Sequence, residues 1–308
     1  MAPFQKKRSL MIVLMAGVLL LAIVAAGCTG SNTPQTTPAM TPAASGTSAV
    51  QPTTETLTLS GSTTVLPIAQ AVADAYMKAH PEANIQVSGG GSGVGIQAII
   101  NQKVDIGMSS ADVTAAQKSQ DPSMNIITIA HDGIAIIVNP ANTIPDISLP
   151  QVQQIYSGNI TSWSSINGAG VPSSNNQIVL VGRDSSSGTR TYFDSFVMKG
   201  VNDSMSMHED NSNGAVAQEV AQTPLAIGYV SIGFLSSSVK AVPILMPDGS
   251  TIAPNVDTVK NETYPIHRDL YMITNGQPTG LAKDYLDFLL SPDGQQIVVQ
   301  QGYVALTS

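Results

Sequence analysis

The chain has 308 residues, long enough for about two domains. Hydrophobic residues make up 43%, enough for a sizeable core, and charged residues only 11%, where about 25% is usual. There are 21 acidic against 13 basic side chains, a net charge of −8, which argues against a nucleic-acid binder because phosphate neutralisation needs clustered Lys and Arg. One cysteine, Cys28, excludes an internal disulfide framework, a CxxC redox pair and any structural zinc site built on several thiolates.

The chain opens with an address. Lys6, Lys7 and Arg8 precede an uncharged, almost wholly apolar run from Leu10 to Ala26. Such a run is short for a membrane span and right for a signal peptide. It ends at Ala25-Ala26-Gly27-Cys28, the pattern of a lipoprotein cleavage site. Residues 1–27 are therefore predicted to be a lipoprotein signal peptide, with Cys28 lipidated as the mature N-terminus; an uncleaved signal anchor is the alternative. Either way the rest of the chain is placed outside the cytoplasmic membrane. Cleavage removes three basic groups and no acid, leaving 10 basic and 21 acidic side chains and a net charge of −11. Residues 28–54 carry no charge, and 15 of the 26 residues from 29 to 54 are Ser, Thr or Pro. They read as a disordered tether, and the folded part as starting near Glu55.

From there strand and helix signals alternate. Thr56–Ser60 reads as a strand, and Leu66, Ala69, Val72, Ala73 and Tyr76 mark a helix that His80-Pro81 ends. Strand Ile85–Val87 runs into Gly89-Gly90-Gly91-Ser92-Gly93, and Ile96, Ile99 and Ile100 mark the next helix. Asp105–Met108, Ile126–Ala130, Ile134–Val138 and Ile178–Val181 read as further strands. A helix through Tyr192 and Phe196 follows the last of these, and the pair Leu281–Leu290 and Pro292–Gln301 closes the chain. Alternating units of this kind predict an α/β fold with mixed sheets flanked by helices.

Three segments share one design: a strand ends in small or hydroxyl residues that open a helix. They are Gly61-Ser62-Thr63-Thr64-Val65, Gly90-Gly91-Ser92-Gly93-Val94-Gly95 and Ser185-Ser186-Ser187-Gly188-Thr189. Helix N-termini offer free N–H groups and favour anions, and Ser or Thr there can cap the helix or donate an O–H to a ligand. Arg183 precedes the third turn and could form a fork onto an oxyanion. Taken singly, each segment reads first as an ordinary capped helix; three of them with an arginine in one chain point to an anion site. No Gly-x-Gly-x-x-Gly fits residues 89–95, no Gly-Lys dipeptide supports a Walker A loop, and no Gly-x-Ser-x-Gly marks a nucleophile elbow. The four histidines (His80, His131, His208 and His267) show no metal-ligand spacing. Neither a cofactor, a metal nor a catalytic role is predicted.

At these residues the chain resembles the phosphate-binding lipoproteins of phosphate ABC transporters. The segments that carry the resemblance are GSTTVLPIA at 61–69, GGGSGVGIQAI at 89–99 and VDIGMSSAD at 104–112. They continue with SLPQVQQIYSGNITSW at 148–163, VGRDSSSGTR at 181–190, AIGYV at 226–230 and FLLSPDGQQIVVQQGYVAL at 288–306. The resemblance implies a two-lobed periplasmic-binding-protein fold with a ligand cleft between the lobes. One lobe would combine residues 55–132 with 245–308 and the other would be 133–244, with a hinge near Asp132–Gly133 and Val242–Leu245.

It also implies a phosphate site: Ser62, Thr63, Thr64 and Val65 in the first loop, Ser92 in the second, Ser110 after the third strand, and Arg183, Ser187, Gly188 and Thr189. The family's first-loop threonine falls on Val65, so Thr63 or Thr64 would substitute, with the Val65 N–H. Some members carry an aspartate at the Ser110 position, where it accepts the proton of hydrogen phosphate. Here Ser110 itself, Asp112, Asp132 and Asp184 are the candidates for that role, although Asp184 reads rather as a salt-bridge partner that orients Arg183 or Arg190. The implied partners are inorganic phosphate, permease subunits and, through Cys28, the membrane, with the protein a monomer. Another tetrahedral oxyanion, sulfate or molybdate, would suit the same cradle; a surface phosphoester hydrolase is the alternative of a different class.

Overall fold

The computed structural model describes residues 55–171 and 174–306; the predicted signal peptide, Cys28 and the tether lie outside them. The first strand, β1 (Glu55–Gly61), alternates exposed and buried positions so that Leu57, Leu59 and Gly61 face inward. It feeds α1 (Leu66–Ala79), which has Pro67 in its first turn and buries Ile68, Ala69, Val72, Ala73 and Tyr76 on one stripe. β2 (Ala83–Ser88) and β3 (Ile106–Ser109) pair with β1 in parallel on its two sides, with α2 (Ser92–Ile100) as the crossover between them. α3 (Ala115–Gln120) is capped by Thr114 in a reciprocal Thr114–Gln117 box.

Strand β4 (Met124–Val138) is one continuous strand of 15 residues. The sequence predicts two strands with a break over His131-Asp132-Gly133, because a charge and a glycine interrupt the apolar run. The backbone stays extended because Asp132 is partnered internally, by Ser231 and Arg268. Its first part, through Gly133, pairs antiparallel with β11 (His267–Asn275). From Ile134 it pairs antiparallel with β7 (Ala226–Ser231) and β8 (Lys240–Val242).

Between these lie α4 (Leu149–Tyr156), β5 (Val179–Arg183), α5 (Gly188–Phe193), β6 (His208–Asp210) and α6 (Asn213–Gln222). β5 runs parallel to both β6 and β7. The short strands β9 (Ile244–Leu245) and β10 (Thr251–Ile252) form a separate antiparallel pair, and α7 (Val256–Lys260) precedes β11. α8 (Gly280–Leu290) and α9 (Pro292–Gln300) follow, joined at Ser291, which ends one helix and caps the other. The main sheet thus reads β2-β1-β3-β11-β4-β7-β5-β6, with β8 on β4. Among the described residues the α/β expectation is met.

Two large apolar clusters flank the partner exchange in β4. One joins Leu57, Ile68, Val72, Met108, Ile129, Leu270, Leu286 and Tyr303. The other is built on Ile134–Val138 and includes Trp163, Phe193, Tyr229 and Val242. No helix among the described residues is long and apolar enough to cross a membrane.

Candidate functional site

The site forms where β1, β3 and β5 end and their loops meet. All ten residues predicted for it are buried, and four separate segments bring them together. Ser62 lies just after β1; its Oγ accepts the N–H groups of Thr64 (3.2 Å) and Val65 (3.4 Å) and donates to Ser110 Oγ at 2.9 Å. Ser92 Oγ, at the start of α2, accepts the Ser110 N–H at 3.0 Å and lies 3.3 Å from Ser110 Oγ. Ser62, Ser92 and Ser110 are thus one hydroxyl cluster. Val65 contributes backbone only, since its side chain packs into the core beside α1.

Gly188 sits against that cluster. A Cβ there would stand 2.2 Å from Ser92 Oγ and 2.8 Å from Ser110 Oγ, so any side chain would collide with the serines. Ser187 caps α5 by accepting the Arg190 N–H at 3.2 Å, and Thr189 Oγ1 is 3.0 Å from Thr64 Oγ1. The third loop also meets the second directly. The Gly93 N–H donates to the Ser186 carbonyl (2.9 Å), and the single Ser186 Oγ proton is shared between the Gly90 carbonyl (3.0 Å) and Asp184 Oδ1 (2.6 Å).

Arg183 ends β5 and is 1% exposed. Its Nε donates to the Asp210 carbonyl (3.2 Å); its Nη2 donates to Thr63 Oγ1 (3.1 Å) and to the Asn211 carbonyl (3.3 Å). Nη1 is buried with no acceptor among the described residues. Burial lowers the guanidinium pKa to about 10, so it is charged at neutral pH. Beneath it, Phe193 and Tyr229 stack at 4.0 Å, and Tyr229 accepts the Arg183 N–H. A buried cation beside hydroxyl groups, with one nitrogen unsatisfied, is a place for an anion.

The expectation for Asp184 fails. Its Oδ1 accepts the Ser186 N–H (2.8 Å) and Oγ–H (2.6 Å), which orders the turn that meets Gly90. Arg190 is held instead by Asp194, Asp203 and Glu209, and donates to the Arg183 carbonyl. Asp112 is exposed and accepts from Tyr271 Oη. Asp132 is fully buried with both oxygens taken: Oδ1 by Ser231 Oγ, and Oδ2 by Arg268 Nη2 at 2.8 Å.

Sequence reasoning missed two residues. Arg268, on β11, reaches Ser110, Gly188, Thr64 and Thr189. Asn213, the first residue of α6, donates to Thr63 and Thr64 and is wholly buried. The available signal was a charge set in each of two apolar strand patterns, Asp132 and Arg268; Asn213 offered none.

A model of the PBP superfamily domain matches residues 46–293. The phosphate-binding protein PstS of Bacillus subtilis is 37% identical over 254 residues, which are 82% of this chain and 81% of that protein. The chain belongs to the PstS-type proteins of the PBP superfamily. Among solved structures, it resembles a Clostridium perfringens substrate-binding protein of the phosphate ABC transporter type, crystallised with phosphate bound. That likeness has a TM-score of 0.75 at 30% identity and covers 82% of this chain and 100% of that one. An ABC-type phosphate transport receptor from Vibrio cholerae gives a TM-score of 0.64 at 30% identity, covering 80% of this chain and 99% of that one. The expected two-lobed periplasmic-binding-protein fold is thereby shown.

Proposed function

We propose that this chain is an extracytoplasmic receptor that captures inorganic phosphate in the cleft at Arg183, delivers it to an ABC permease and performs no chemistry on it. The observation that carries the reading is Arg183 itself: a buried guanidinium with Nη1 unpartnered, amid the hydroxyls of Ser62, Thr63, Thr64, Ser92, Ser110, Ser187 and Thr189. Donors fixed before binding replace the hydration shell of an anion with little ordering cost. The Bacillus subtilis relative is named for phosphate binding, and the Clostridium perfringens one was crystallised with the ion.

The lobes are read as 55–132 with 245–308, and as 133–244. The partner exchange of β4 at Gly133–Ile134 supports the first crossing, whereas Val259, Tyr264 and Ile266 pack with the cluster of the second lobe and so favour a return crossing nearer β11 than residue 245. The protein is read as a monomer tethered by residues 28–54 through lipidated Cys28, with residues 1–27 removed. The basic, apolar and cysteine order of the N-terminus supports this.

A second reading, a fully deprotonated oxyanion such as sulfate, draws on one observation. Both oxygens of Asp132 are occupied, which leaves cradle hydroxyls such as those of Ser92 and Ser110, and not that carboxylate, to accept a ligand proton. Replacing Arg183 tests the site for either ligand. Arg183→Ala should weaken phosphate binding by about 2–5 kcal/mol, read by titration calorimetry, because it removes the charge partner of a buried anion. Unchanged affinity would remove Arg183 from the site.

A further inference from the structure

Arg268 spends its donors in a particular way. Nε and Nη2 both donate to Asp132 Oδ2, at 3.1 and 2.8 Å. Nη1 donates to the carbonyls of Ser110 (2.8 Å) and Gly188 (3.2 Å), which belong to two different loops of the cradle. The remaining Nη2 proton is shared between Thr189 Oγ1 (3.0 Å) and Thr64 Oγ1 (3.3 Å).

A hydroxyl has two lone pairs and one proton. Thr64 Oγ1 accepts from Arg268 and, at 2.9 Å, from Asn213 Nδ2. The Asn213 amide is oriented by its Oδ1, which accepts the Ser231 N–H at 3.2 Å. With the shared Arg268 proton and the Asn213 amide both on its lone pairs, we assign Thr64 as the donor in its 3.0 Å contact with Thr189, a distance that by itself allows either direction. Thr189 Oγ1 then accepts from Thr64 and Arg268, and its lone pairs are also filled. Its own proton has no acceptor among the described residues and is left to point at a ligand.

We infer that Arg268, clamped by Asp132, is a positioning residue that forces the Thr189 hydroxyl to donate into the anion cradle. The inference rests on the oxyanion reading of the cleft. Arg268 acts through Thr64 and Thr189: without it a threonine lone pair is free to face the anion, which repels it. Asn213 is the second support of the same relay, and through Thr63 it also touches the group that Arg183 binds.

A double-variant cycle on the full chain tests this. Inorganic phosphate is titrated calorimetrically into the parent, Arg268→Lys, Thr189→Val and the double variant, and the ligand-free melting temperature of each is recorded. Lysine keeps the charge and loses the fork. Arg268→Lys is expected to weaken phosphate roughly tenfold to hundredfold, as expected for hydrogen bonds to a charged group. The double variant is expected to bind no worse than Arg268→Lys alone, since the Thr189 proton is already misdirected. Parent-like affinity in Arg268→Lys, or penalties that multiply in the double variant, would overturn the inference. If Arg268→Lys shows no folding transition, Thr64→Val carries the test, because it removes the middle of the relay and leaves the ion pair in place. Its penalty must likewise fail to multiply with that of Thr189→Val; multiplication overturns the relay. Failure of the parent chain to take phosphate overturns the ligand reading alone. The same cycle run with sulfate or molybdate then decides the relay separately.

Discussion

Arg183 and Arg268 are both buried at the cradle, yet they differ in what balances their charge. Arg268 has the Asp132 carboxylate at 2.8 Å, whereas Arg183 is satisfied by backbone carbonyls and Thr63 and keeps one nitrogen unpartnered. An anion therefore gains most from Arg183, and by favouring the charged form it must raise the Arg183 pKa from about 10. The sign follows from linkage: affinity holds while the free guanidinium stays protonated and falls as pH rises past about 10. Phosphate titrations across that range check it, and affinity that is level through the range would contradict it. Ser187→Ala should cost roughly 1–3 kcal/mol of binding if its hydroxyl donates to the ligand. An unchanged dissociation constant would leave Ser187 as a helix cap only. Arg183, Ser187, Gly188 and Thr189 were legible in the sequence because they share one short segment with a strand before it and a helix after it. Arg268 and Asn213 were not, because their place depends on β11 and α6 arriving from distant parts of the chain.

At the scale of elements, two loops of the cradle bond directly to each other. Ser186 accepts the Gly93 N–H at its carbonyl and shares its hydroxyl proton between the Gly90 carbonyl and Asp184, which holds the Ser186 turn. Gly91 lies at the contact with φ +95°, and a Cβ there would stand 2.3 Å from Ser186 Oγ. Gly91→Ala should therefore weaken phosphate roughly tenfold or more, from backbone strain and blocked loop contact together. Parent-like affinity would show that the two loops need not meet. A second device lies at the end of α5, where residues Asp194–Met198 continue it as a π-helix. Here burial, with the nearby Asp203 charge, pushes the Asp194 pKa up to about 6 despite Arg190. A folded-state value above the ordinary 3.8 means that the native state binds the extra proton, so stability falls as pH rises through that window. Asp194→Asn should thus melt higher than the parent at pH 7, with the gap closing as pH falls below 3.8. An equal or lower melting temperature at pH 7 would contradict this. Periodicity predicted α1, α8 and α9 to within a few residues of their ends and marked α2 and α5, but left α3, α4, α6 and α7 unread. It divided β4, because an aspartate inside an apolar run reads as a break until its arginine is known. It also gave no sign of the π-helix.

For the whole molecule, two apolar clusters meet along one long strand, and the chain crosses between them where β4 exchanges β11 for β7 and β8. Asp132 sits beside that exchange and holds Arg268, so the ion pair that supports the cradle is also placed where the two sets of strands join. The protein is acidic, with a net charge of −8, so its overall field repels anions. Capture must then come from local donors, which is what the buried hydroxyls and guanidinium provide. The fold was legible from alternating strand and helix signals and from the family resemblance; the joining of the sheets through β4 was not, since strand pairing at long range leaves no local pattern. The most direct test is calorimetric titration of the ligand-free protein with phosphate, alone and in excess sulfate, at two pH values. The expected result is tight phosphate binding that sulfate leaves untouched. Equal or tighter sulfate binding would contradict it and make the cradle a site for a fully deprotonated oxyanion.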